Sequence, residues 1–94
     1  MPCEAIHCFD KGTVRFAIYP EGMDGPRILA EISEDALRDL FGARGGGASL
    51  VQACELHFPA IEPRALQCYH DHPRQPVLLQ PEDFAMPTAM AWRY

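Results

Sequence analysis

The sequence predicts a small α+β domain: an antiparallel sheet built from an N-terminal hairpin plus a C-terminal strand, with about three helices packed on one face. Three observations carry this. Two early segments alternate apolar and polar residues at the period of a half-buried strand, the middle of the chain switches to helical spacing, and a short apolar run near the end is bounded by prolines. Strands first, helices next and a strand last leave one sheet with the helices gathered on one side of it.

The first alternating segment is "TVRFAIY", in which Val14, Phe16 and Ile18 share one face and Arg15, Ala17 and Tyr19 the other. The second is "RILAEI", with Ile28, Ala30 and Ile32 against Arg27, Leu29 and Glu31. Between them "PEGMDGP" supplies the glycines and prolines that turn a chain, so the two read as an antiparallel hairpin with a longer loop. "AIHCF", ahead of "DKG", adds a further strand before the hairpin.

At Ser33 the period becomes helical. The serine hydroxyl is placed to cap the first turn, and Glu34 and Asp35 suit the positive end of the helix dipole. Ile32 and Leu37 are spaced for a hydrophobic staple, and Ala36, Leu37, Leu40 and Phe41 supply an inward face. Gly42 ends the helix in the left-handed position. "ARGGGAS" then reads as a flexible connection, with Ser49 and Gln52 as the capping box of a second helix that runs to about Phe58 and is stopped by Pro59. Pro63 fits the first turn of a third helix, on which Ile61, Ala65, Cys68, Tyr69 and His72 recur at helical spacing, and Pro73 closes it. "PVLLQ" is the last strand, and residues 85–94, "AMPTAMAWRY", form a tail outside a core of residues 5–84.

Ninety-four residues hold one domain, 1–94, and the 48% apolar and 22% charged fractions are those of a globular chain. The net charge is −5, and the eight basic residues are spread singly, so no phosphate-tracking stripe exists and nucleic acid is not an expected partner. No apolar run approaches the roughly 18 residues of a membrane span, and "MPCEAIHCFD" has no basic leader, which points to the cytosol. Cys3, Cys8, Cys54 and Cys68 are therefore expected as reduced thiols.

"VRFAI" followed by "DGPRILAEISEDALRDLFGA" resembles the small, mostly proteobacterial family called domain of unknown function 1488. The likeness lies in Val14 and Phe16, in Asp24 and Gly25 of the loop, and in Ile32-Ser33 followed by Ala36, Leu37, Phe41 and Gly42. "PVLLQPEDF" is similar to that family's closing segment, so the resemblance covers about residues 14–84. It implies a compact α+β domain and brings no catalytic residue, cofactor or substrate. Two features depart from the pattern: Gly45-Gly46-Gly47 stands where acidic residues are expected, and the cysteines and histidines of the later helices lie outside it.

The segment "CYHDHP", residues 68–73, concentrates side chains that bind metals and move protons. Cys54, His57, Cys68 and His72 have the composition of a Cys2His2 zinc site, provided two facing helices bring them together. As a catalytic pair, Cys68 and His72 lack an orienting third group, because Asp71 projects about 100° away around a helix. The glycine run lacks the Lys-Ser/Thr pair and preceding strand of a nucleotide-binding loop. No coherent active site or cofactor emerges. The leading expectation is a noncatalytic cytosolic protein that acts through protein contacts, including self-association as a homodimer through a sheet edge or through the tail residues Met90, Trp92 and Tyr94. The alternative is a zinc-binding or thiol-dependent protein using Cys54, His57, Cys68 and His72.

Overall fold

A computed structural model describes residues 4–84. The chain runs β1 (Ile6–Cys8), β2 (Thr13–Ile18), β3 (Ile28–Ser33), α1 (Glu34–Phe41), α2 (Gly47–Leu56), α3 (Phe58–Asp71) and β4 (Val77–Leu79), with a further helical turn at 81–84. The four strands form one sheet in the order β1-β2-β3-β4. The α+β class follows, with all three longer helices packed against the same side of the sheet.

Alternation decides which side. Val14, Phe16 and Ile18 of β2, Ala30 and Ile32 of β3, and Val77 and Leu79 of β4 are all buried in one apolar cluster with Leu37, Leu50, Cys54, Ile61 and Ala65 of the helices. Each large side chain fully buried there contributes about 1.5–3 kcal/mol of transfer free energy, which makes this cluster the main stabilising feature of so short a chain. Phe16 meets Phe58 edge to face at 5.6 Å, tying the centre of the sheet to the start of α3.

One expectation about the sheet is corrected. β1, β2 and β3 pair antiparallel, but β4 lies parallel to β3, with Ala30 opposite Val77 and Ile32 opposite Leu79, so the sheet is mixed. The reason is the connection. A parallel neighbour needs a long crossover, and the three helices between Ser33 and Val77 provide one, returning the chain to the end of the sheet from which β3 starts.

The helix boundaries separate what local chemistry dictates from what packing decides. Ser33 caps α1 as its sequence requires: its Oγ accepts the Ala36 N–H at 3.1 Å. Gly42 takes φ 73°, and the Ala43 N–H returns to the Leu37 carbonyl at 3.0 Å, the closing bond of a Schellman ending. Leu40, expected to face inward, is exposed. α2 departs further. Gly46 is its N-cap and Gly47 its first residue, so the glycine run enters the helix rather than serving as a linker. Ser49 accepts the Arg44 N–H at 2.9 Å instead of capping. α2 ends at Leu56 and His57 joins it to α3, so Pro59 sits in the first turn of α3 and Pro63 lies inside that helix. Proline is accepted at the start of a helix because the first amide groups have no partner within it.

Candidate functional site

The four Cys and His positions of the zinc reading are held by different surroundings. Cys54, on α2, is fully buried in the core. His57, at the junction of α2 and α3, lies over Phe41 with ring centroids 5.1 Å apart. Cys68 is half-buried against the core from α3, and His72 is the exposed C-cap of that helix, its N–H bonded to the Cys68 carbonyl at 3.0 Å. Among the described residues no group of three or more His, Cys, Asp or Glu side chains is placed to hold a metal ion. Burial pushes the Cys68 thiol above its usual range, with Asp83 and Asp71 adding to the rise and Arg64 opposing it, so less of it is thiolate near neutral pH. Cys8 and Cys68 are free thiols. "CYHDHP" is thus the end of α3: His70 lies exposed beside Tyr69, and Asp71 accepts from the Gln67 side chain at 3.0 Å.

A polar cluster that the sequence did not reveal sits where β1 meets the helices. His7 Nε2 donates to Glu34 Oε2 at 2.7 Å, and Arg38 donates to Glu34 Oε1 at 3.1 Å and to the Gly45 carbonyl at 3.3 Å. Gly47 packs so closely on the His7 ring that a Cβ there would lie 2.6 Å from Nδ1. The hydrogen bond from His7, reinforced by Arg38, holds the Glu34 carboxyl below its ordinary value. His7 and Glu34 are 27 residues apart, so only the Glu34–Arg38 pair, four apart on α1, carried any trace in the sequence. The cluster binds β1, α1 and the start of α2 together.

The other surface of note is the sheet face that, among the described residues, no helix covers. Alternation places Ile6, Cys8, Thr13, Arg15, Ala17, Leu29, Glu31 and Leu78 on it. Ile6, Leu29 and Leu78 are 63%, 49% and 44% exposed. Between them runs a polar strip: Glu31 accepts from Thr13 Oγ1 at 2.8 Å and lies 3.4 Å from Lys11 Nζ and 3.9 Å from Arg15 Nε. The strip ends at a hollow of about 280 Å³ lined by Cys8, Phe9, Asp10, Lys11 and Arg15, with Phe9 exposed at its rim. Both sheet edges are three residues long, which leaves little backbone for edge-to-edge pairing.

Met90, Trp92 and Tyr94, the tail residues expected to take part in contacts, lie outside the described residues, as does Cys3. Among the described residues no helix is long and apolar enough to cross a membrane. No family model, no curated protein and no solved structure matches the chain.

Proposed function

We propose that the protein is a noncatalytic interaction module and that its open sheet face meets the same face of a second copy. The observation that carries this reading is the composition of that face: three exposed aliphatic side chains, Ile6, Leu29 and Leu78, flank a strip in which Arg15 and Glu31 are cross-strand neighbours. A two-fold axis between those two residues sets Arg15 of one copy against Glu31 of the other and repeats the contact in reverse, which is the self-complementarity an isologous dimer requires. Charge favours the same surface. The chain carries −5, yet this strip sets Lys11 and Arg15 beside Glu31 and the Asp10 of the adjoining hollow, so it is close to neutral and two acidic copies repel least when they meet here.

Size limits the affinity. Strands of six residues and a width of four strands give roughly 300 Å² of flat face. A standard interface takes about 800 Å² from each partner, so the dimer forms weakly. Its cytosolic location belongs to the same reading and is supported by the free thiols of Cys8 and Cys68. Membership of the domain of unknown function 1488 family is likewise our reading, resting on the motifs around Val14, Ser33 and Phe41, and it adds no activity. The zinc-binding or thiol-dependent alternative has no comparable observation behind it.

Sedimentation velocity over a concentration series tests the dimer. The expected result is concentration-dependent association that Leu29→Glu removes, that Arg15→Glu and Glu31→Arg each weaken, and that the combined swap restores. A monomer at every concentration up to the solubility limit overturns it.

A further inference from the structure

The turn that joins β1 to β2 folds five side chains around one hollow. Cys8 and Thr13 lie opposite each other and close the hairpin, and the Lys11 and Gly12 N–H groups both donate to the Cys8 carbonyl, at 3.1 and 3.0 Å. Gly12 takes φ 66°, which lets the chain reverse so tightly. Phe9, Asp10 and Lys11 are thereby brought back beside Cys8, and Arg15, two residues past Thr13, is the diagonal neighbour of Cys8 on the same face of the sheet. These five residues line the hollow of about 280 Å³. Small-molecule pockets begin at about 300 Å³, so the hollow has the size for a small ligand and not for a folded partner.

Its walls combine a nucleophile with two cations. Cys8 is a half-buried free thiol, and its bond from Sγ to the Ile6 carbonyl is long, at 3.9 Å, so the sulfur is weakly held where it meets the hollow. Lys11 and Arg15 are 58% and 38% exposed. Their shared contact with Glu31 is loose, 3.4 Å from Nζ and 3.9 Å from Nε, and Glu31 does not line the hollow. Among the described residues the terminal guanidinium nitrogens of Arg15 hold no hydrogen bond, so this fork and the Lys11 ammonium keep donors for a second carboxylate. Asp10 is the one acid on the wall, against the two cations. Phe9 and the methylene stems of Lys11 and Arg15 supply the apolar remainder.

The other described thiols have different surroundings. Cys54 is fully buried, and Cys68 has Asp71 and Asp83 as well as Arg64 for charged neighbours.

We propose that the hollow is a modification site, in which Cys8 forms a mixed disulfide with a small acidic thiol compound whose carboxylates lie against Lys11 and Arg15. The Cys8 thiolate attacks one sulfur of the small disulfide, and the new S–S bond to Cys8 forms as the old one breaks. The electron pair leaves on the departing thiolate, which takes up the proton that Cys8 released. Cys8 is oxidised and half of the small disulfide is reduced, so the exchange needs no further oxidant. The site goes beyond the sheet-face dimer and does not depend on it.

A chain of charge −5 attracts cationic reagents overall, so preference for an acidic one is diagnostic of this hollow. Full-length Cys3→Ser protein, dilute enough for a weak dimer to be dissociated, is treated at low ionic strength with oxidised glutathione or with cystamine, and the adduct at each cysteine is followed by peptide mass mapping. Each rate is divided by that of the same cysteine in the urea-unfolded chain. Normalised in this way, Cys8 is expected to react several-fold faster with oxidised glutathione than with cystamine, and Cys68 to show no such preference. Combining Lys11→Gln with Arg15→Gln is expected to abolish the preference at Cys8 while the circular dichroism is unchanged, and with both cations in place about 0.5 M salt does the same by screening them. Equal normalised rates at Cys8, or a faster reaction with cystamine, overturn the inference. So does a glutathione preference that survives the double substitution, survives the salt, or appears equally at Cys68. Sedimentation reads the sheet-face dimer separately, so the failure of either proposal leaves the other standing.

Discussion

His7 on the edge strand β1 donates from Nε2 to the Glu34 carboxylate at 2.7 Å, joining the sheet to the first turn of α1. The opposite ring nitrogen faces the backbone of Gly47, so the imidazole is held between the starts of two helices.

That sandwich makes Gly47 a packing residue. Alanine ordinarily improves a helix by up to about 1 kcal/mol over glycine. Here its Cβ would lie 2.6 Å from His7 Nδ1, and overpacking costs about 1–3 kcal/mol, so Gly47→Ala is expected to lower stability by on the order of 1 kcal/mol. In a His7→Ala background the obstacle is gone and the same substitution becomes neutral or stabilising. Urea unfolding of the four proteins of this double-mutant cycle measures the reversal, and identical effects in both backgrounds would refute the packing argument.

Glu34 carries a pH dependence whose sign follows from its lowered carboxyl pKa. The unfolded chain takes up the proton first as pH falls, so the stability due to the ionised carboxylate is present in full above the ordinary value of 4.5 and is lost as pH drops through the lower folded value. Charged and titratable neighbours on both packed elements, His7 and Arg38, sustain the effect. The stability difference between wild type and Glu34→Gln is therefore expected to be constant across neutral pH and to shrink below about 4.5, tracked by thermal unfolding from pH 7 to pH 3. A difference that stays constant down to pH 3 would show that the ion pair contributes nothing.

The two serines divide by role. Ser33→Ala removes a helix cap and is expected to cost about 1 kcal/mol. Ser49→Ala removes only an exposed bond to the Arg44 N–H and is expected to cost less than about 0.5 kcal/mol. Equal losses in chemical denaturation would mean that Ser49 supports α2 in a way its position after Gly46 does not suggest.

Thiol chemistry separates the cysteines by burial. In a Cys3→Ser variant, Cys8 is expected to react first with an aromatic disulfide, Cys68 more slowly because burial raises its thiol, and Cys54 only on unfolding. Peptide mapping after timed labelling gives the order. A Cys68 that reacts ahead of Cys8 would restore the thiol-dependent reading.

Much of the scaffold was legible because its signals are local. Ser33 and Gly42 bound α1 through their own side-chain and backbone chemistry, and the alternation in β2 and β3 placed Val14, Phe16 and Ile32 in the core. The candidate surfaces were less legible. Which residues share the outer sheet face follows from alternation, but that no described helix covers it depends on where three helices settle. The Cys and His positions misled for a related reason: helical spacing could align Cys54 with His57 and Cys68 with His72, but only packing shows that Cys54 enters the core while His72 ends α3 in solvent.

What the sequence by itself determined is the class of the fold, the positions of the strands, the ends of α1 and the inner face of the sheet, since each depends on residues within a few positions of one another. Only the tertiary structure decided the parallel pairing of β4 with β3, the entry of the glycine run into α2, the His7–Glu34 bond and the dispersal of the four Cys and His residues. The strand pairing and the His7–Glu34 bond join residues far apart in the chain, and such contacts are selected by the burial of the whole apolar cluster rather than by any local preference.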